Sequence, residues 1–264
     1  MNTRYLLYID ILGFQNLVGH APEKVPDLFE LIDSLNVHRH DAFKTVAFSD
    51  TVLVYNAVDP VSDHDHEYIM MYLCEFAQDL LHRLVGTAVY FRGLICHGEF
   101  THYLLRHVEV FYGPALIDAY LKEKSINCMG LFIEKTCLRW NKIFPVAKFD
   151  ENLSFVYLTQ SLERLWQDSS GILPVDPLII EGVEFYLAAE VKLLEIINRM
   201  MLCHLEPAVR SKFLMFWQFY RSRYRKLIDT LEERDFEPAA VCPSHNWSQY
   251  SFPEPWIRNL EREQ

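Results

Sequence analysis

Tyr5-Leu6-Leu7-Tyr8-Ile9-Asp10-Ile11-Leu12-Gly13-Phe14 is an apolar run broken by one acid and closed by a glycine. Its aromatic and branched side chains predict a short buried strand from Tyr5 to Ile11, followed by a turn at Gly13 into a helix. Asp10 then falls near the C-terminal end of that strand. A second acid has a comparable setting. Phe43–Val46 and Val52–Tyr55 read as two strands flanking Phe48-Ser49-Asp50-Thr51, which puts Asp50 at a hairpin tip. Two carboxylates at strand ends suit Mg²⁺ or Mn²⁺, which take hard oxygen ligands and are commonly shared with substrate phosphates. Taken singly, each aspartate also fits a helix cap or a turn residue.

Outward from this pair, Leu17, Val18, Val25, Leu28, Phe29 and Ile32 predict helical packing. Pro22 and Pro26 allow either two helices or one interrupted helix. Ser62-Asp63-His64-Asp65-His66-Glu67 is rich in metal-type side chains, but it lies between turn signals and a helix and reads as a solvated loop with helix-capping acids. A helix is predicted over Glu67–Val85 and a strand over Ala88–Cys96. Tyr103–Val110 reads as irregular or as a short strand, and a helix opens at Gly113 and runs to Lys124. Leu131–Ile133 and Phe155–Leu158 suggest a further strand pair. From about Glu181 the pattern is helical, over Phe185–Leu205 and Ala208–Leu231, separated by Glu206-Pro207. The expected organisation is an α/β (α+β) domain over residues 1–178 with a helical hairpin appended over 179–264. The basic run Arg221–Lys226 reads as a solvated helix face. The proline-rich tail after Glu237 is expected to dock through Trp247, Tyr250, Phe252 and Trp256.

Composition narrows the function. The 264 residues are 50% apolar, enough for a sizeable core, and the net charge of −11 argues against a nucleic-acid partner, which would need many cations for phosphates. Six widely spaced cysteines form no CxxC pair and read as reduced core residues. Neither a signal-peptide pattern nor an apolar stretch of membrane-spanning length is present, so the expectation is a cytoplasmic protein with no membrane partner.

Four local patterns occur in one order: Tyr8-Ile9-Asp10-Ile11-Leu12-Gly13-Phe14, Phe48-Ser49-Asp50, Arg92-Gly93-Leu94-Ile95-Cys96-His97-Gly98 and Phe111-Tyr112-Gly113. In them residues 5–124 resemble a class III nucleotidyl cyclase domain. The resemblance implies a ferredoxin-like sheet core and a metal site of Asp10, Asp50 and the Ile11 carbonyl, holding one or two Mn²⁺ or Mg²⁺ ions. It also implies a triphosphate contact at Arg92, a substrate-facing Phe14, and a homodimer with active sites shared between subunits.

The departures are informative. Where the family offers an Asn and an Arg on the helix after the glycine, this chain has Ile117 and Leu121. At the family's base-reading positions it has Val46 and Val110. Within the family, the bacterial pyrimidine cyclases of the Pycsar antiphage systems look most like this pattern. Both metal aspartates are kept, and a Gly-Pro-Ala-Leu helix start runs into Ala-Tyr, as in Gly113–Tyr120. The implied reaction is cyclisation of UTP or CTP to a 3′,5′-cyclic nucleotide read by a downstream effector, with Lys44 and Tyr112 as candidate contacts to the pyrimidine. Lys44, Lys122 and Lys124 are candidates for the missing cation. A catalytically inactive nucleotide-binding module and a structural protein on the same domain stand as alternatives.

Overall fold

The computed structural model describes residues 2–35 and 40–257. The strand expected at Tyr5–Ile11 is longer, β1 (Asn2–Leu12), and lies in the middle of an eight-stranded sheet. Antiparallel to it run β3 (Thr51–Asn56) on one side and β4 (Tyr90–Leu104) on the other, with β2 (Phe43–Phe48) beyond β3. The order β2-β3-β1-β4, with helices between β1 and β2 and between β3 and β4, is the ferredoxin-like arrangement. Beyond β4 the sheet continues through β6 (Gly130–Glu134), parallel to it, then β8 (Leu153–Val156) and the short β7 (Val146–Lys148). The last four residues of β4, Thr101–Leu104, leave the main sheet to pair with β5 (Glu109–Tyr112), so Tyr103–Val110 contains the end of one strand and the start of another.

Tyr5 to Ile9 are buried without a break because helices cover both faces of β1. On one face lies α3 (Asp63–Leu84), whose His66 Nδ1 is 2.6 Å from the Tyr5 hydroxyl. On the other lies α4 (Pro114–Ser125), whose buried stripe is Ala115, Ala119 and Glu123. Close approach fixes the start of α4: a Cβ on Gly113 would stand 2.3 Å from the Glu99 carbonyl oxygen, so only glycine fits. Between β1 and β2 the chain forms two helices, α1 (Phe14–His20) and α2 (Lys24–Asp33), parted at Ala21–Glu23.

Two compact units divide the described chain. The first comprises residues up to Leu81 with Tyr90–Leu158 and contains the whole sheet and α5 (Lys135–Leu138). The second comprises His82–Val89 with the chain from Thr159 onward. In the second unit α6 (Gln160–Ser169) and α7 (Pro177–Ile180) precede a hairpin of α8 (Glu184–Cys203) and α9 (Pro207–Arg223), followed by α10 (Arg225–Glu232). The continuous helix expected over Ala208–Leu231 breaks at Tyr224, where the backbone leaves the helical region. Glu190, fully buried on α8, accepts from Ser161 N and Leu162 N and so caps α6, and it pairs with His82 at 3.0 Å.

The basic run differs in part from a solvated face. Arg221 holds Glu232 and Asp229, while Arg223 grips Glu163 through Nε and Nη2. The tail docks through aromatics as expected, with Phe185 against Tyr250 and Phe252. The six cysteines are all free thiols. Ser62–Glu67 is the start of α3, where Asp65 caps by accepting from Val61 N and Ser62 N. Among the described residues, no helix is long and apolar enough to cross a membrane.

Candidate active site

The end of β1 is closed by the β2–β3 turn. Ile11 N donates to the Asp50 carbonyl at 2.7 Å, one step past the Asp10–Thr51 pair that ends the ladder. The turn bends back through Ser49 in the left-handed region, φ 54°. Because the N–H and C=O of one strand residue point to the same edge, the Ile11 carbonyl also faces this turn. Asp10 and Asp50 thereby share one corner of the sheet, and the Tyr8 hydroxyl reports on both. Burial, followed by the charges of Glu123, Asp10 and Asp50, raises its pKa, only partly offset by Thr51 Oγ1 at 3.3 Å.

A third carboxylate completes the corner. Glu123 is 3% exposed on the last turn of α4. Its carboxyl is pushed up to about 7, chiefly by burial, with Asp10 adding to the rise and Arg92 opposing it. Arg92, on the strand next to Asp10 and 8% exposed, is the ion that compensates both acids. Its Nη2 donates to Asp10 Oδ2 at 3.1 Å and meets Glu123, and its Nη1 donates to the Ile126 carbonyl at 2.5 Å. Every one of these partners belongs to the protein. Sequence reasoning missed Glu123, although its spacing of four from Ala119 and eight from Ala115 put an acid on the helix's apolar stripe.

The donors at this corner suit a hard divalent cation. Two carboxylates and a strand-end carbonyl match the way Mg²⁺ is held, by one or two carboxylates with substrate phosphates filling the remaining positions. Among the described residues no group of three or more His, Cys, Asp or Glu side chains is arranged to hold a metal alone.

The other expected site residues lie elsewhere. Lys44 and Tyr112 come together in a cavity of about 380 Å³ at the opposite end of β1, lined also by Asn2, Arg4, Tyr55 and His102. Arg4 and Asp10 are six residues apart on one strand face, about 20 Å at strand rise. The helix α4 lies between them, with Ala115 over Gly98 at the cavity end and Glu123 over Arg92 at the acidic end. Val46 and Val110 are half-buried on β2 and β5 and do not line that cavity. Phe14 opens α1 and packs edge-on against Phe29. Lys122 is tied to Glu134 at 2.6 Å and Lys124 lies against Tyr120. Ile117 and Leu121 project outward, 60% and 59% exposed, with Tyr120 between them.

No family model matches the chain, and no curated protein matches it. Among solved structures, the guanylyl cyclase domain of the RhoGC fusion protein from the aquatic fungus Blastocladiella emersonii is similar at 15% identity, over 59% of this chain and 94% of that one, with a TM-score of 0.43. The guanylate cyclase domain of RhGC from Catenaria anguillulae, in complex with GTP, is similar at 11% identity over 59% and 96%, TM-score 0.44. The adenylyl cyclase CyaB from P. aeruginosa is similar at 12% identity over 59% and 93%, TM-score 0.43.

Proposed function

We propose that this chain is a pyrimidine nucleotide cyclase that converts UTP, or failing that CTP, to the 3′,5′-cyclic nucleotide and pyrophosphate, acting as a homodimer. The observation that carries the reading is the docking of the Asp50 turn on the end of β1 through Ile11 N. It brings the two aspartates of the cyclase-like pattern to one corner. Arg92 balances Asp10 and Glu123, and the further charge of Asp50 at the same corner is what a bound cation would balance.

Asp10, Asp50 and the Ile11 carbonyl would hold Mn²⁺ or Mg²⁺, which when bound neutralises charge on the phosphates and favours the 3′-alkoxide. The reaction is an in-line displacement. The ribose 3′-hydroxyl gives up its proton, a bond forms from that oxygen to the α-phosphorus, and the bond from the α-phosphorus to the bridging oxygen of the β-phosphate breaks. Pyrophosphate leaves with the bonding pair. The protein forms no covalent intermediate, so its contribution is orientation and electrostatics. In this reading Arg92 is a positioning residue. Glu123 and the Ile126 carbonyl hold its guanidinium, and it in turn holds Asp10.

Two subunits are needed because the acidic corner and the Lys44–Tyr112 cavity lie at opposite ends of β1 with α4 between them. A C₂ pair sets the cavity of one copy against the acids of the other, twice. The exposed Ile117, Tyr120 and Leu121 give α4 an apolar outer face for that contact. Pyrimidine preference rests on the resemblance, which puts the apolar Val46 and Val110 where the family reads a purine's polar edge, and on Tyr112 as a donor to the smaller ring, with Lys44 as a candidate for the missing cation. An unpaired buried polar group costs about 1–3 kcal/mol, or roughly ten- to a hundredfold in discrimination. The product would act as a second messenger in bacterial antiphage defence, read by a separate effector.

The test is a competition assay with UTP, CTP, ATP and GTP at equal concentration and Mn²⁺, with products resolved by mass. Cyclic UMP or cyclic CMP is expected as the main product. Cyclic AMP or cyclic GMP in its place would overturn the pyrimidine assignment, and no cyclic product at all would favour the nucleotide-binding module.

A further inference from the structure

We propose that Arg4 is a phosphate-binding residue, its Nε–Nη2 edge holding the polyphosphate of a nucleoside triphosphate lodged in the cavity with Lys44 and Tyr112. This rests on the cyclase reading for the identity of the ligand. Its evidence is separate, because neither the four sequence patterns nor the candidate cations Lys44, Lys122 and Lys124 include Arg4.

Three observations converge on it. The first is place. Arg4 stands on β1 in the middle of the cavity floor, with Lys44 and Tyr55 from β2 and β3 on one side and Phe100, His102 and Tyr112 from β4 and β5 on the other. The second is donor capacity. Both partners of the guanidinium, the Thr3 carbonyl and Asp59, engage Nη1, so Nε and Nη2 have no partner among the described residues. Two adjacent N–H groups in a planar fork match two oxygens of one phosphoryl group. The third is charge. In a chain of net charge −11, this cavity presents two cations. Lys44 has no ion-pair partner among the described residues, and Asp59 is an exposed loop acid able to swing aside. The Arg4 side chain is only 12% exposed, and burial lowers its pKa. Such partial desolvation strengthens its attraction for an anion.

Two other polar groups of the lining, the Tyr55 hydroxyl and the His102 ring, are already committed and so act as fixed walls. His102 is held between the Tyr55 hydroxyl and Glu109. A bound triphosphate would therefore displace Asp59 and meet Arg4, with Lys44 closing from the sheet edge. Because the acidic corner of the same chain is about 20 Å away beneath α4, three phosphorus atoms joined by two bridging oxygens cannot reach it. The cation from Arg4 must serve the aspartates of a second copy. It thereby supplies the charge that α4 lacks at Ile117 and Leu121.

The experiment uses the full chain with Arg4→Ala, Arg4→Lys and Lys44→Ala, in two arms. In the first, UTP turnover is measured with Mn²⁺. Arg4→Ala is expected to lose about ten- to a hundredfold in kcat/KM with its thermal midpoint retained, and Arg4→Lys to recover part of it. Arg4→Ala mixed in equal amounts with Asp50→Asn, each nearly inactive alone, should regain about a quarter of wild-type activity, since half the dimers carry one intact site. Wild-type turnover in Arg4→Ala overturns the assignment, and a mixture that stays inactive overturns action across the dimer. In the second arm, inorganic tripolyphosphate is titrated calorimetrically into wild type, Arg4→Ala and Lys44→Ala without metal. Equal binding by wild type and Arg4→Ala overturns the phosphate site. If wild type cyclises no nucleotide the cyclase reading fails, and this arm still decides the role of Arg4. Should Arg4→Ala not fold, Arg4→Lys and Lys44→Ala carry the same two comparisons.

Discussion

Arg92 Nη2 donates to Asp10 Oδ2 at 3.1 Å and meets the Glu123 carboxylate with the same nitrogen. One guanidinium thus sets the position of an acid on the central strand and ties it to the helix above. Breaking a buried pair by removing one partner costs about 3–5 kcal/mol, because the remaining charges lose their compensation. Arg92→Ala is expected to lose stability of this order in urea unfolding, together with cyclase activity. An unchanged unfolding midpoint would show that Asp10 and Glu123 tolerate each other without it.

Glu123→Gln tests the same network through pH. With its carboxyl pushed up to about 7 by burial, the folded chain keeps a proton that the unfolded chain has already released above the ordinary glutamate range. That contribution to stability is present at low pH and is lost as pH rises toward 7 and beyond. Wild type should therefore lose stability between pH 5 and pH 8 by an increment that Glu123→Gln lacks. Equal slopes for the two proteins would contradict the shift.

Glu163 predicts the opposite sign. Burial alone would raise its pKa, but hydrogen bonds from Arg223, Tyr224 and Gln167 outweigh burial and hold it below the ordinary range. Its contribution is complete above that range and lost as pH falls through it. Thermal midpoints measured from pH 6 down to pH 3 should drop more steeply for wild type than for Glu163→Gln.

Asp50→Asn and Asp10→Asn should each abolish cyclic product. The thermal midpoint should hold or rise in Asp50→Asn, which relieves a crowded acidic corner, whereas Asp10→Asn also takes a partner from buried Arg92 and should lower it. Calorimetric titration with Mn²⁺ gives a second reading, in which binding by wild type should weaken at least about tenfold in either variant. Retained turnover in either would remove that aspartate from the metal site.

Leu121→Glu places a charge in the exposed apolar stripe of α4 without touching the buried Ala115, Ala119 or Glu123. The sedimenting species should shift from dimer to monomer and specific activity should fall with it. A monomer that cyclises at the full rate would end the shared-site reading.

The central strand, the hairpin and the two helix starts at Gly13 and Gly113 were legible because local signals specify them: an apolar run, a turn acid and two glycines, one at φ 88° and one with no room for a Cβ. The length of β4 was not. Past Cys96 it pairs first with the start of β1 and then, over Thr101–Leu104, with β5, and such pairing is a tertiary contact that propensity does not carry. The break at Tyr224 was hidden in a stretch with helical spacing on both sides. At the site, the two aspartates stood out as acids at the ends of apolar runs. Glu123 was visible only through its phase on α4, and Arg4 looked like any cation before a strand until the sheet order put four other strands around it. Arg92 was recognisable as a residue of interest, but its burial against Asp10 and Glu123 depends on a helix that arrives 22 residues later in the chain, at Pro114.

The second unit is built from two separated pieces of chain. Gly86 leaves no room for a Cβ beneath Pro253, and Trp256 N donates to the Thr87 carbonyl at 2.8 Å. During synthesis the ribosome delivers His82–Val89 before β4, whereas its partners emerge much later, Glu190 with α8 and Pro253 and Trp256 only after α10. A nascent chain that has completed the entire sheet still lacks these partners of His82–Val89. Domains usually fold one after another as they leave the ribosome. Here the first cannot be sealed off from the last, and a stalled or prematurely terminated product leaves His82–Val89 in its middle without the partners it has in the finished chain.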